Sequence, residues 1–267
     1  MFFNRTAAIV LRQFYLMRGS PARVLPLFVW IAVDMVLWGF ITRYLNLIAR
    51  GGFDFIPVLL GAVLLWDFFM RVMQGVTITF FEDVWSRNFL NIFATPLSIP
   101  EYLAGLVLSS IATSLIGLAV MLALATAAFG LSFSVCGLML FPFLFVLFLF
   151  GIALGIFGSA VVLRLGPASE WLIWPIPGLL SPFAGVFYPI STLPEWMRGF
   201  SYMLPPAYVF EGMRAAISGG AVSGGALLWA GILSTVYLLA ACWFFVRIHR
   251  YAVRTGLFAR YSAETLS

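Results

Sequence analysis

The run LMLFPFLFVLFLFGIALGIFGSAVVL, residues 138–163, decides the fold class of this chain. No charged side chain interrupts it from Leu138 to Leu163. A helix of about 20 apolar residues crosses the ~30 Å hydrocarbon core of a bilayer, and this run exceeds that length. A helix on the surface of a soluble domain keeps a polar face, and this run has none. Its solvent is therefore lipid. An outer-membrane barrel is a poor alternative, because barrel strands alternate apolar and polar residues and here the apolar stretch is continuous.

Composition agrees. Of 267 residues, 63% are hydrophobic and 9% charged, against roughly 45–50% and about 25% in soluble domains. The formal charge of +5 comes from 15 basic residues, all arginine. In a soluble protein that excess would raise nucleic-acid binding. In a lipid-embedded chain it belongs to arginines facing the cytoplasm and anionic head groups, so no nucleic-acid partner is expected. The two cysteines, Cys136 and Cys242, are far apart, and the single histidine, His249, lies near a basic C-terminus. That pattern offers no catalytic set and no metal site. No Walker A sequence is present, so no cofactor is expected on this chain.

Five further spans follow from the same criterion, for six in all: 21–47, 55–81, 102–129, 138–163, 171–188 and 224–246. The fifth contains Pro175, Pro177 and Pro182 and reads as broken. Residues 2–18, FFNRTAAIVLRQFYLMR, are too charged to span, with Arg5, Arg12 and Arg18 among apolar residues. They read as an amphipathic helix lying in the interface. The chain thus divides into that helix (1–20), one membrane domain (21–247) and a basic tail (248–267). With six spans both termini share a side. That side collects Arg5, Arg12, Arg18, Arg23, Arg87, Arg164, Arg247, Arg250, Arg254 and Arg260, while the other has Arg43, Arg50, Arg198 and Arg214. The arginine-rich side is the cytoplasm of a cell membrane, inner or plasma.

Three polar features could carry function. Asp67 and Arg71 sit at i and i+4 within a span, with Asp34 in the preceding one. A charge in lipid is costly, so they face the bundle interior as a transport-path patch or as a structural ion pair. The break from Glu82 to Glu101 carries Arg87, Asn88, Phe89, Leu90, Asn91 and Phe93, ending at Thr95 and Pro96. It reads as a short cytoplasmic helix, for docking a partner or lying on lipid heads. On the other side, PISTLPEWMRGFSYMLPPAYVFEGMRAAI, residues 189–217, is too apolar for a solvated loop. Two short helices are expected, one starting near Leu193 and Pro194 and carrying Glu195, the other starting near Pro206, just after Pro205, and carrying Tyr208, Glu211 and Arg214. Such a pair is a re-entrant lid or an interfacial anchor.

Those last two segments resemble the ABC-2 family of ABC exporter membrane subunits. Leu90, Thr95, Pro96, Ser98, Glu101 and Gly105 match that family's pattern after the second span, with Asn88 and Asn91 where Gly and Glu are usual. Residues 187–214 match its F-x-P…L-P…P-x-x-Y-x-x-E-x-x-R pattern, with Pro205-Pro206 where Asn-Pro is common. The resemblance implies an all-α membrane half-transporter that pairs with a second copy or a paralogue. Two copies of a cytoplasmic ABC ATPase, holding ATP and Mg, would drive it. Residues 82–96 would be the coupling helix and 191–217 the outer re-entrant pair. The cargo would be amphipathic: a lipid, a lipid-linked glycan, a drug or a natural product. Two other classes compete. A lipid-modifying membrane enzyme needs convergent acids or a histidine at one interface. An ion-coupled secondary transporter favours matching broken helices in two repeats.

Overall fold

The computed structural model describes residues 2–48, 55–86, 91–92, 95–131 and 137–257. The described residues form helices and no strands. The helices are α1 (Phe2–Arg18), α2 (Pro21–Ile48), α3 (Gly61–Trp85, entered through a π-helical turn, Ile56–Leu60), α4 (Ile99–Phe129), α5 (Leu140–Leu165), α6 (Ile176–Ala184), α7 (Glu195–Ser201), α8 (Pro205–Ile217) and α9 (Gly224–Thr255). Five of them, α2, α3, α4, α5 and α9, are long and apolar enough to cross a bilayer.

The expected fifth span, 171–188, is not one helix. Gly166 at φ 98° and Pro167 end α5. A 3-10 stretch, Pro167–Leu172, then precedes the nine-residue α6, which contains Pro182. Pro175 and Pro177 fall at the start of α6, where a missing donor is tolerated, but neither could sit inside a helix running on from the 3-10 stretch without losing a donor and clashing with the turn before it. At about 1.5 Å per residue, α6 alone is far shorter than the bilayer core. Two other boundaries also shift. The break expected at Glu82 begins only after Trp85, because Glu82 and Asp83 remain in the last turn of α3 with partners on other helices. The expected tail is helical as far as Thr255.

Side-chain pairs fix the relative directions of the helices. Tyr102 donates to Asp83 at 2.7 Å and Ser110 donates to the Val72 carbonyl at 2.8 Å, so α3 and α4 are antiparallel. Between α5 and α9, Phe150 meets Tyr237 (5.3 Å), Phe157 meets Phe244 (5.5 Å) and the Arg164 guanidinium covers the Tyr251 ring at 3.9 Å. The partners advance together, so α5 and α9 are parallel. Helix α3 also runs parallel to α5. A Cβ on Gly151 would lie 2.9 Å from Val72 Cβ, and one on Gly155 only 2.7 Å from Val76 Cβ. Apolar burial gives little drive between helices already in lipid. Close backbone approach at small residues supplies the packing instead.

The bundle therefore has two ends. The base holds the C-termini of α3, α5 and α9, the N-terminus of α4, and α1. The cap holds the opposite ends together with α7 and α8. The broken stretch starts at the base, where the Trp85 indole donates to Glu170 at 2.9 Å. It ends toward the cap, where Phe187 stacks on Trp38 at 4.8 Å. The core centres on α3, with Phe69, Val72, Val76 and Phe80 fully buried. Helices α2 and α9 present most of their surface outward, including Trp30, Phe40, Tyr44, Leu239 and Trp243.

Candidate functional site

A cavity of about 630 Å³ opens beside α2, α3 and α4 and contains all three embedded charges of the sequence reading, Asp34, Asp67 and Arg71. Its other walls include Met17, Arg23, Trp30, Met70, Gln74, Glu82, Trp85, Thr113 and Trp174. The charged residues share it because Asp67 and Arg71 fall one turn apart on α3, on the side that Asp34 of α2 faces. They act on one another electrostatically. Asp67 Oδ2 is buried and has no hydrogen-bond partner among the described residues. The cavity runs from the Arg23–Glu82 ion pair (3.3 Å) at the base up to Asp67. The fifteen steps along α3 from Asp67 to Glu82 rise about 22 Å. Trp85 and Trp174 both donate to Glu170, at 2.9 and 3.1 Å, so one carboxylate holds two indoles at the base end of the cavity.

At the same end, α1 is tied to the bundle. Arg5 donates to the Pro96 carbonyl and pairs with Glu101 at 3.4 Å. Glu101 also accepts the Ser98 N–H at 2.8 Å, closing the first turn of α4. Arg12 pairs with Asp83, which takes the Tyr102 hydroxyl on its other oxygen. Arg5, Ile9 and Arg12 lie on one stripe of α1, and a Cβ on Gly105 of α4 would press on Ile9 at 2.7 Å. Two of the three arginines assigned to lipid heads thus meet carboxylates of the bundle. Asp83 and Tyr102 were missed in the sequence. The usable signal was an acid at the end of one span and a tyrosine at the start of the next.

These ties bracket the expected coupling helix. Arg87, Asn88, Phe89, Leu90 and Phe93 lie outside the described residues. Asn91 is helical, while Thr95 and Pro96 form a bend before α4.

At the cap, the two short helices α7 and α8 fall where the prolines put them, with Pro194 as the N-cap of α7 and Pro205 opening α8. Glu211 accepts the Ile190 N–H at 2.7 Å and pairs with Arg214 at 3.0 Å. Arg214 donates to the Gly185 carbonyl at 2.8 Å. The pair thereby clasps the 185–190 turn against α8. Leu193 packs with Ile190 and Ala207, Glu195 sits in the first turn of α7, and Tyr208 donates to the Tyr202 carbonyl at 2.8 Å. Pro206 and Phe210 are buried, and Phe210 approaches Trp66 of α3. Burial pushes the Tyr208 phenol above its ordinary range.

Residues 5–218 match the model of the ABC-2 type transporter family, which takes in α1 to α8. No curated protein matches the chain.

Proposed function

This chain belongs to the ABC-2 type transporter family, and we propose that it is the membrane half of an exporter driven by a separate ATPase. The multi-pass membrane permease is what the family match and the long apolar helices establish. Coupling to an ATPase, pairing with a second copy or paralogue, outward direction and an amphipathic cargo are the proposal. The observation that carries it is the placement of the cavity. A partly charged, largely apolar chamber reaches the end of the bundle where α1 is tied to the last turn of α3 at Asp83 and to the first turn of α4 at Glu101.

The parallel packing of α5 and α9 supports six crossings. A chain that leaves α5 at the base must return to the cap before α9 begins, and residues 170–187 run between those levels. Backbone without regular helix is tolerated at that depth where protein covers it or where it lines a cavity, and Trp174 lines this one. An even count puts both termini at the base. With the arginines concentrated there, the base is the cytoplasmic side of the cell membrane.

In this reading residues 87–96 seat in the ATPase, with ATP and Mg held by that partner. Closure of two ATPase subunits would pull on α3 and α4 through the segment that joins them. The Glu211–Arg214 clasp would hold the outer re-entrant pair until α3 and α5 shift beneath it. Work is transmitted only through contacts that differ between two states, and the α1 ion pairs at the base and the Glu211–Arg214 clasp at the cap are polar contacts that could do so. The test is purification in mild detergent from the native host. An ABC ATPase should co-purify and be released by Leu90→Asp with Phe93→Asp. Retention of the ATPase by that variant, or no ATPase under conditions that keep membrane complexes intact, removes the coupling reading.

A further inference from the structure

We propose that the cavity between α2, α3 and α4 takes a monocation with a hydrophobic body, which names the cargo class and rests on the permease reading only in calling the occupant cargo. The charge balance of the walls leads to the sign. Arg23 is matched by Glu82 at 3.3 Å. Among the described residues that line the cavity, that leaves Asp34 and Asp67 against Arg71, an excess of one carboxyl group. Asp67 supplies a second, independent observation. Its Oδ2 is buried with no hydrogen-bond partner among the described residues. A buried carboxylate oxygen in that position is stabilised by an incoming positive charge and is driven further uphill by an anion.

The remaining walls select for the body of the ligand. Trp30, Trp85 and Trp174 line the cavity with Met17, Met70 and Ile78. Tryptophan faces attract cations, more strongly where water is excluded. Two of these rings are fixed in place by their shared bonds to Glu170. That geometry adds a further carboxylate at the base end of the cavity and orients both rings. A volume of about 630 Å³ lies within the ~300–1,000 Å³ range of pockets that bury a drug-sized molecule. A small inorganic cation would leave most of this apolar wall unfilled.

Tetraphenylphosphonium and tetraphenylborate have nearly the same size and shape and opposite charge, so together they isolate the sign. Binding of each is measured on the purified protein in detergent, against the same micelles without protein. The phosphonium is expected to bind at least about tenfold more tightly than the borate, with Asp67→Asn weakening it about tenfold and Arg71→Gln strengthening it. Asp67→Glu should retain most of the affinity. If Asp67→Asn does not elute as a monodisperse species, Asp34→Asn and Arg71→Gln decide the matter by the same directions. Tighter binding of the borate, or wild-type phosphonium affinity in Asp67→Asn and Asp34→Asn, overturns the proposal. No ATPase enters this measurement, so its failure leaves the coupling reading intact. Conversely, a phosphonium signal without a co-purifying ATPase would separate the two in the other direction.

Discussion

Removing Arg12 should destabilise the fold chiefly by stranding Asp83. The Asp83 side chain is 3% exposed and the Arg12 side chain 29%. Without the guanidinium, the carboxylate keeps only the Tyr102 hydroxyl at 2.7 Å. Breaking a fully buried pair costs about 3–5 kcal/mol. Arg12 is partly solvated, so about 2 kcal/mol is the expected loss for Arg12→Ala. For a chain of this size ~1 kcal/mol moves the unfolding midpoint by about 2–4 °C, so the midpoint should fall by about 4–8 °C. Asp83→Asn removes the charge and keeps an acceptor for Tyr102, while Arg12 can turn toward water or head groups. Its cost should be about 1 kcal/mol. The double variant strands neither group and should also lose about 1 kcal/mol, a coupling of about 2 kcal/mol against the sum of the single effects. The assay is the fraction of monodisperse protein left after heating in detergent, for the parent and the three variants. Additivity within about 0.5 kcal/mol, or an unchanged midpoint in Arg12→Ala, would refute the argument that this pair fastens α1 to the bundle.

Three other outcomes follow from the same geometry. Glu211→Ala strips the acceptor from the buried Ile190 N–H and the partner from Arg214, at a cost of about 1–3 kcal/mol; it and Arg214→Ala should impair transport with membrane insertion intact, and full transport by both would remove the functional role of the clasp. Gly155→Val sets a Cβ 2.7 Å from Val76 Cβ and 2.9 Å from the Met73 carbonyl, so it should lose about 1–3 kcal/mol in the same heating assay, whereas Gly231→Ala, with nothing within 4 Å, should lose nothing. In a background without Cys136 and Cys242, single cysteines at Ser86 and Gly219 should react with an impermeant thiol reagent from opposite sides of the membrane, while cysteines at Ser86 and Thr255 should react from the same side; reaction of Gly219→Cys from the Ser86 side, with Thr255→Cys from the other, would reduce the count to five crossings.

Helix content and the extent of most elements were legible because lipid imposes a one-dimensional rule. A segment must satisfy its own backbone hydrogen bonds and show apolar side chains for about 20 residues. The start of α1 at Phe2, the limits of α2 and the end of α4 at Phe129 follow from that rule and from arginine, proline and glycine as punctuation. Pro194 and Pro205 likewise announced α7 and α8, since a proline at a helix start gives up a donor that is orphaned anyway. The same proline logic marked 171–188 as broken, but an apolar count alone could not separate a kinked span from a 3-10 turn followed by nine helical residues.

The solvent, the number of long apolar helices to within one, the clustering of the arginines and the residues that carry charge into lipid can be read along the chain. Which of those charges meet depends on packing. Glu82 and Asp83 read as the start of a loop because two adjacent acids are costly at the end of a span, and they stay helical because Arg23 and Arg12 reach them from α2 and α1. Asp34, Asp67 and Arg71 left a structural pair and a transport path equally open, and the packing of α2 on α4 and α3 puts all three on one cavity. The parallel run of α5 and α9 was likewise invisible, since pairs such as Arg164 with Tyr251 are 87 positions apart in the chain. The physical reason is common to all three. Burial in lipid is a property of one segment and can be summed along it, whereas the energy of a charge or an aromatic ring in a low-dielectric interior depends on the nearest groups from other segments, and those are set by how the helices pack.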